Sequence, residues 1–158
     1  MKLLLDTHAL LWLVSGDARL PRSALSALQA DGTVNFISIA SFWEIGIKTG
    51  LGKLDLGDDP LPKLFERADS DGLRRLAIEP EHCQYLHRLP RHHRDPFDRM
   101  LVAQALADNL TVVSADPSFD AYGVARLWSR LSRRSPDTDP SASRSASTSS
   151  TATRHRGR

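Results

Sequence analysis

The chain has 158 residues, of which 41% are hydrophobic and 25% are charged, and these values are typical of one soluble globular domain with a substantial core. Its single cysteine, Cys83, excludes an internal disulfide and fits a reducing compartment such as the cytoplasm. Asp6 and His8 interrupt the apolar run at the N-terminus, which argues against a signal peptide, and no apolar stretch approaches the ~20 residues of a membrane span.

The net charge of +2 is divided unevenly along the chain. Residues 129–158 contain seven Arg and two Asp, a net charge of +5, and the rest of the chain carries −3. This segment also holds nine Ser and four Thr, with Leu131 as its only large apolar residue. It cannot bury enough surface to offset the entropy of ordering. We therefore predict a domain over residues 1–128 and a disordered basic tail, which either contacts RNA electrostatically or is an extension without a role.

Short apolar segments alternate with helix-permissive segments along residues 1–128. In chain order, the pattern predicts a strand at 2–5, a helix at 8–14, a helix from Pro21, a strand at 34–37, a helix from Ser38 to Thr49, a helix at 61–68, a strand at 73–78, a helix at 80–89, a helix from Asp95-Pro96, a strand at 111–114, a helical turn at Asp116-Pro117 and a strand at 124–127. Such alternation is typical of an α/β fold in which helices cover both faces of a parallel sheet.

Four acidic residues lie where this fold brings distant segments together. Asp6 and Asp116 follow predicted strands, and Glu44 and Asp98 lie in the first turns of predicted helices. Because sites in parallel sheets form beyond the carboxyl ends of the strands, the four acids can converge on one edge.

A carboxylate cluster repels itself unless a cation joins it. Mg²⁺ and Mn²⁺ prefer carboxylate and water oxygens. A bound ion can lower the pKa of its water, orient that water for in-line attack and neutralise phosphate charge. Four acids suffice for one ion, or for two ions about 4 Å apart. The residues thus favour a metal-dependent hydrolase of phosphodiesters that needs no Ser, Cys or Lys nucleophile.

Each acid also has an ordinary structural explanation. Asp6 can cap the helix that follows it, and Asp116, followed by a proline, has the form of a helix N-cap. Asp98 suits the positive end of a helix dipole. Glu44 can pair with Lys48 on the surface of its helix. Spacing alone leaves both explanations open.

Several ordered motifs resemble the PIN-domain ribonucleases, and in particular the VapC-type toxins of bacterial type II toxin–antitoxin pairs. They are LLDTHALLW at 4–12, SIASFWEI at 38–45 with Lys48, GKL at 52–54, RDPFDRMLVAQA at 94–105, VSAD at 113–116, and YGV with LW at 122–128. The resemblance covers residues 1–128 and does not include the tail.

The resemblance implies a three-layer α/β/α fold with a central parallel sheet. It also implies Mg²⁺- or Mn²⁺-dependent cleavage of RNA that leaves a 5′-phosphate and a 3′-hydroxyl. By position, Asp6, Glu44, Asp98 and Asp116 match the catalytic acidic quartet: Asp6, Asp98 and Asp116 would hold the metal, and Glu44 would hold a metal-bound water or a second ion. Family members commonly form homodimers and are inhibited by a small antitoxin protein. We therefore predict a cytoplasmic endoribonuclease toxin.

Side chains beside the quartet allow further predictions. Thr7 and Ser114 are candidate hydrogen-bond donors to the carboxylates, although ordinary turn hydrogen bonds explain them equally well. A basic cluster near Asp98 can contact RNA phosphate or lie in a solvated loop. Its members are Arg91, His92, His93, Arg94 and Arg99. Arg99 can alternatively neutralise a carboxylate.

The remaining candidate site residues favour structural roles. His8 is predicted to be structural, and Cys83 lacks the second paired ligand motif that a zinc site needs. The three tryptophans are predicted to lie in the core or an interface rather than to stack on bases; they are Trp12, Trp43 and Trp128.

Two other functions are compatible with the pattern. The first is a structure-specific DNA nuclease of the flap-cleaving type, although such enzymes usually carry more acids and additional DNA-clamping segments. The second is a nuclease-inactive PIN-like module that binds RNA or protein. The presence of all four acids argues against the second.

Overall fold

The computed structural model describes residues 1–128, and the predicted basic tail, residues 129–158, lies outside the described residues. The strands are β1 (Lys2–Leu5), β2 (Val34–Ser38), β3 (Arg74–Leu76), β4 (Thr111–Val113) and β5 (Arg126–Leu127). The helices are α1 (Thr7–Ser15), α2 (Arg22–Leu28), α3 (Ile39–Gly50), α4 (Pro60–Ser70), α5 (Pro80–Arg88) and α6 (Pro96–Asp108), with a 3₁₀ helix at Pro117–Tyr122.

The five strands form one parallel sheet with the order β3-β2-β1-β4-β5. From β1 the chain builds outward through β2 to β3, and it then returns to the other side of β1 to form β4 and β5. Connections therefore diverge between β1 and β4, which is where such sheets open a crevice beyond their carboxyl ends. The predicted parallel α/β fold is confirmed.

The alternating leucines of β1 divide the core into two layers. Leu3 and Leu5 belong to a buried cluster that includes residues of α1, α2, α3 and α4. Leu4 points to the opposite face, where it packs with Leu101 and Val102 of α6. All three leucines are fully buried, and each contributes roughly 1.5–3 kcal/mol by that burial. A one-residue slip would exchange the two faces, so this burial fixes the register that places Asp6 at the strand end.

The predicted elements are all present, and the differences lie at their ends. The third strand is shorter than the predicted 73–78, and the last strand has two residues rather than the predicted 124–127. Val124 is nevertheless buried, because it packs in the α6 layer without pairing in the sheet. Within residues 1–128, no helix has the length and apolarity needed to cross a membrane.

The tryptophans do not share one environment. Trp12 and Trp128 are partly buried against the core and lie with ring centroids 5.7 Å apart. Trp43 is 61% exposed on α3. Its ring packs against that of Phe97 in a T-shaped arrangement with centroids 5.3 Å apart. The core location is therefore wrong for Trp43, and an interface location stays a prediction.

Candidate metal centre at the carboxyl edge of the sheet

Two acids follow the central strands directly and cap the helices that begin there. Asp6 ends β1, and its Oδ1 accepts a hydrogen bond from the backbone of Ala9 at 2.6 Å. Asp116 follows β4, and its Oδ1 accepts from the backbone of Ser118 at 2.8 Å. The backbone N–H of Asp6 also donates to Val113 at 3.1 Å. Both acids thus serve as the predicted caps, and both lie at the point where the sheet connections diverge.

The third acid, Asp98, is placed by the start of α6. Asp95 caps this helix by accepting from the backbone of Phe97 at 2.8 Å and from that of Asp98 at 3.4 Å. Pro96 occupies the first helical position, where a missing N–H has no cost. Asp98 is then the third helical residue, as predicted. One cap residue therefore orients the helix that carries a site carboxylate.

Glu44 lies in the second turn of α3 and not in the predicted first turn, because the helix begins at Ile39. It is buried, with 4% of its surface exposed. Its Oε2 accepts a hydrogen bond from the hydroxyl of Thr7, and its Oε1 pairs with the ammonium of Lys48. The side chain therefore turns inward and also makes the ion pair that the helical spacing predicts. The predicted donor role of Thr7 is confirmed.

The hydroxyl of Ser114 hydrogen-bonds the Asp6 carboxylate, and its oxygen accepts from the backbone of Asp116 at 3.0 Å. Its predicted role as a donor to a carboxylate is confirmed. This one residue after β4 therefore links the two acids that follow neighbouring strands.

His93 lies between Asp98 and Asp116. The Nε2 of His93 lies 3.4 Å from Oδ2 of Asp98 and 3.3 Å from Oδ2 of Asp116. Ligand atoms of these three residues lie within 4.8 Å of one another, and they are the only such trio of His, Cys, Asp or Glu found in residues 1–128. The sequence placed His93 only in a basic cluster. No signal in the local sequence separates His93 from the adjacent His92.

The electrostatics of this edge penalise negative charge. Burial raises the pKa of Asp98 to about 7, with further increases from the charges of Asp95, Glu44 and Asp6 and a partial offset from His93. Burial also raises the pKa of Asp6 above its ordinary value, against the hydrogen bonds from Ser114 and Ala9.

Asp116 differs from Asp6 and Asp98. Burial acts to raise the pKa of Asp116, but the hydrogen bonds from Ser118 and His93 outweigh it and hold that pKa below its usual range. Of the two acids that face His93, Asp116 is the more exposed: 42% of its side chain is accessible, against 26% for Asp98. It therefore keeps its negative charge most easily.

This donor set fits a hard divalent cation. Burial raises the pKa of Asp6 and of Asp98, and neighbouring carboxylates raise it further, so ionising both groups is unfavourable in the absence of a cation. Their oxygens, with those of Asp116, are the ligand type that Mg²⁺ and Mn²⁺ prefer. A bound cation would remove the penalty for ionising both groups.

Comparison with known proteins identifies the family of this chain. The sequence pattern of the PIN domain matches residues 3–125. The chain belongs to the PIN-domain family. PIN domains are nucleases that generally use divalent metal ions. No curated protein matches the chain.

Solved structures share the fold of this PIN domain. A chain of VapBC2 from Rickettsia felis, bound to a DNA fragment from its promoter, matches with a TM-score of 0.59 and 17% identity, over 80% of this chain and 98% of that chain. A chain of VapBC-1 from nontypeable Haemophilus influenzae gives 0.59 and 14%, over 80% and 97%. A chain of a toxin–antitoxin complex from Klebsiella pneumoniae gives 0.55 and 20%, over 79% and 95%. At these identities the likeness concerns the fold.

The members of the basic cluster of this PIN domain lie in two different environments. Arg91, His92 and Arg94 are exposed on the loop between α5 and α6. Arg99 instead donates to Pro90 at 2.7 Å and to three further oxygens, which belong to Leu86, Leu89 and Tyr122. Arg99 thus braces the end of α5 and the following loop, which differs from the expectation that it contacts phosphate or neutralises a carboxylate.

Proposed function

We propose that this PIN domain is a Mg²⁺- or Mn²⁺-dependent endoribonuclease whose catalytic residues are Asp6, Glu44, Asp98 and Asp116. The observation that carries the proposal is that the acids which follow β1 and β4 meet acids of α3 and α6 at one edge of the sheet. Two of these acids have raised pKa values, so ionising them together is unfavourable unless a cation binds.

The four acids have different roles in this proposal, which follow from their contacts. Asp6, Asp98 and Asp116 would hold the cation, which when bound lowers the pKa of water and neutralises charge on the phosphodiester. Glu44 is held by Thr7 and Lys48, so its carboxylate is oriented before substrate arrives and can hold the attacking water. No covalent enzyme intermediate is needed, because water is the nucleophile.

The exposed arginines beside the acids support an RNA substrate. An acidic site repels phosphate unless cationic side chains lie nearby. Arg91 and Arg94 are exposed on the loop next to Asp98 and can contact the phosphates that flank the scissile bond. Such contacts position the strand and carry no sequence information.

We also propose that the chain acts as a toxin and is inhibited by a small antitoxin protein. The solved structures that share its fold include VapBC and other toxin–antitoxin complexes. An arginine of such a partner could satisfy the carboxylates of the site by charge-assisted hydrogen bonds.

A homodimer is supported by the surface of α3. The apolar side chains that recur at intervals of four residues are Ile39, Trp43 and Ile47 of α3 and Leu51, which caps its end. Each is at least 40% exposed. Residues at this spacing lie along one side of a helix, and a contiguous exposed apolar stripe commonly marks an interaction surface.

The nuclease is tested with the Asp6→Asn variant on labelled RNA and DNA, with Mg²⁺ or Mn²⁺ and a chelator control. We expect wild type to cleave RNA, the chelator to abolish cleavage, and the variant to lose it. Asp31→Asn is the matched control, because this exposed acid precedes β2 at the opposite end of the sheet. Cleavage by the variant at the wild-type rate would refute the site, cleavage of DNA alone would favour the flap-type nuclease, and RNA binding without cleavage would favour the inactive module.

The toxin role is tested separately by expression in bacteria. Wild type and Asp31→Asn should arrest growth, and Asp6→Asn should not. Absence of arrest with wild type would refute the toxin role and leave the nuclease standing. A neighbouring reading frame that encodes a small protein, and that restores growth when co-expressed, is the expected antitoxin.

A further inference from the structure

The hydrogen bonds of His93 fix which of its ring nitrogens carries the proton. The backbone N–H of Asp95 donates to Nδ1 of His93 at 3.0 Å. A backbone N–H can only donate, so Nδ1 must present its lone pair, and the proton of the neutral ring lies on Nε2. This Nε2–H donates to Oδ2 of Asp116 at 3.3 Å, and Nε2 lies 3.4 Å from Oδ2 of Asp98.

We propose that His93 is a positioning residue and not a metal ligand. Its Nε2–H donates to Asp116 and lies 3.4 Å from Oδ2 of Asp98. The imidazole thus faces carboxylates that belong to different elements, and it holds both toward one point. The inference rests on the proposed function for the cation that these carboxylates would hold. Until a cation binds, the shared donor reduces the repulsion between two acids that are otherwise brought together only by the fold.

Ligation through Nε2 is disfavoured by the same contacts. A ligating Nε2 must present its lone pair, and the ring proton would then move to Nδ1. That proton would face the N–H of Asp95, leaving two donors opposed without an acceptor. Since Asp95 caps α6 through its side chain, its backbone cannot turn away without disturbing the helix that carries Asp98.

The surroundings of His93 hold the ring in place. The backbone N–H of His93 donates to the hydroxyl of Tyr122 at 2.7 Å. The same hydroxyl accepts from Arg99 of α6 at 3.4 Å, and the ring of His92 contacts that of Tyr122 with centroids 5.1 Å apart. Tyr122 ends the 3₁₀ helix that Asp116 begins. The loop is therefore tied to both of the elements whose carboxylates the imidazole joins.

Nitrogen NMR of protein labelled with ¹⁵N-histidine tests the proton position directly. In metal-free protein we expect His93 to show a protonated Nε2 and an unprotonated Nδ1, and we expect this pattern to persist when Mg²⁺ saturates the site. Protonation of Nδ1 in the metal-free protein, or loss of the Nε2 proton on addition of Mg²⁺, would overturn the proposal.

Two substitutions separate the donor from the rest of the ring. In His93→Asn the amide oxygen can replace Nδ1 as the acceptor for Asp95, but no group reaches the position of Nε2. In His93→Gln the amide nitrogen can reach that position and donate. We expect His93→Asn to weaken Mn²⁺ binding about 10-fold or more in calorimetry, as loss of a partner of a metal ligand does, and His93→Gln to stay near wild type.

The matched control is His87→Asn, an identical change at an exposed histidine of α5, which should leave Mn²⁺ affinity unchanged. Circular dichroism and thermal unfolding establish that each variant is folded. If His93→Asn and His93→Gln weaken Mn²⁺ binding equally, or if both keep the wild-type affinity, the donor role is contradicted. If wild-type protein binds neither Mn²⁺ nor Mg²⁺, the proposed function fails, and the metal-free NMR spectrum still decides whether Nε2 of His93 carries the proton that faces the two acids.

Discussion

Replacing Asp98 with asparagine should stabilise the metal-free protein above neutral pH while weakening its hold on a cation. The carboxyl has an ordinary pKa of 3.8, which the fold raises to about 7. Each unit of pKa shift corresponds to about 1.4 kcal/mol, so the penalty for ionising Asp98 approaches roughly 4 kcal/mol. Because 26% of the side chain is exposed, solvent screening reduces the expected gain to roughly 2 kcal/mol.

The pH dependence of this gain follows from the direction of the shift. The pKa of Asp98 is higher in the folded than in the unfolded protein, so protonation favours folding. The associated stability is fully present below about pH 4, is lost as the pH rises toward about 7, and does not change further above that. Asparagine is neutral throughout. The advantage of Asp98→Asn over wild type should therefore be near zero at about pH 4 and complete by about pH 8.

Urea denaturation with a chelator present, followed by circular dichroism at both pH values, measures this difference. Asp31→Asn removes an exposed charge at the other end of the sheet and should show no comparable pH-dependent gain. An Asp98→Asn variant that is no more stable than wild type at about pH 8, or that is equally stabilised at about pH 4, would refute the reasoning. Saturating Mg²⁺ should reduce or reverse the advantage, because the wild-type protein then gains binding free energy.

Three further predictions concern neighbouring contacts. Lys48→Met should lower the free energy of unfolding by roughly 1–2 kcal/mol, because it leaves the buried Glu44 without its cation; the loss is modest because Lys48 is 37% exposed and solvent screens the pair. Lys48→Arg should retain most of the wild-type stability in thermal unfolding. Wild-type stability in Lys48→Met would contradict a stabilising ion pair. Cation affinity should fall about tenfold per pH unit below about pH 7, because Asp98 must lose its proton to bind; a flat Mn²⁺ titration between about pH 5 and about 7 would count against Asp98 as a ligand. Trp43→Arg should convert a dimer to monomer in analytical ultracentrifugation, with Tyr85→Arg, at an exposed aromatic of α5, as the control; a dimer that persists in Trp43→Arg would place the interface elsewhere.

The features that could be predicted from the sequence are those that local chemistry determines. The run of Leu3 to Leu5 is apolar and ends abruptly at Asp6, so both the strand and its acidic end are visible in the sequence. The Asp95-Pro96 pair predicts the start of α6, and Asp98 then falls at the third helical position. Each of these predictions depends on residues no more than a few positions apart.

The features that could not be predicted depend on contacts between distant residues. His93 is fixed by Tyr122, which lies 29 residues later in the chain, and nothing in the local sequence distinguishes it from the adjacent His92. Arg99 could not be separated from a phosphate-binding arginine, because its acceptors are carbonyl oxygens that any residue type provides. Trp43 has the composition of a core residue, and only the packing of α3 leaves it exposed.

The two explanations offered for the acids, capping and catalysis, turn out not to compete. Asp6 and Asp116 each use one carboxylate oxygen to cap a helix. Each carboxylate oxygen has two lone pairs, so the second oxygen can still bind a cation, even in Asp116 where His93 donates to it. The cap fixes the orientation of the side chain before any cation arrives, which is the preorganisation that a metal site requires. Asparagine caps a helix about as well as aspartate, whereas alanine loses about 1 kcal/mol at such a position. Loss of cleavage in Asp6→Asn would therefore reflect the missing charge and not a weakened helix. If Asp6→Ala is less stable than Asp6→Asn while both variants lose cleavage, the capping role and the catalytic role of this residue are separated.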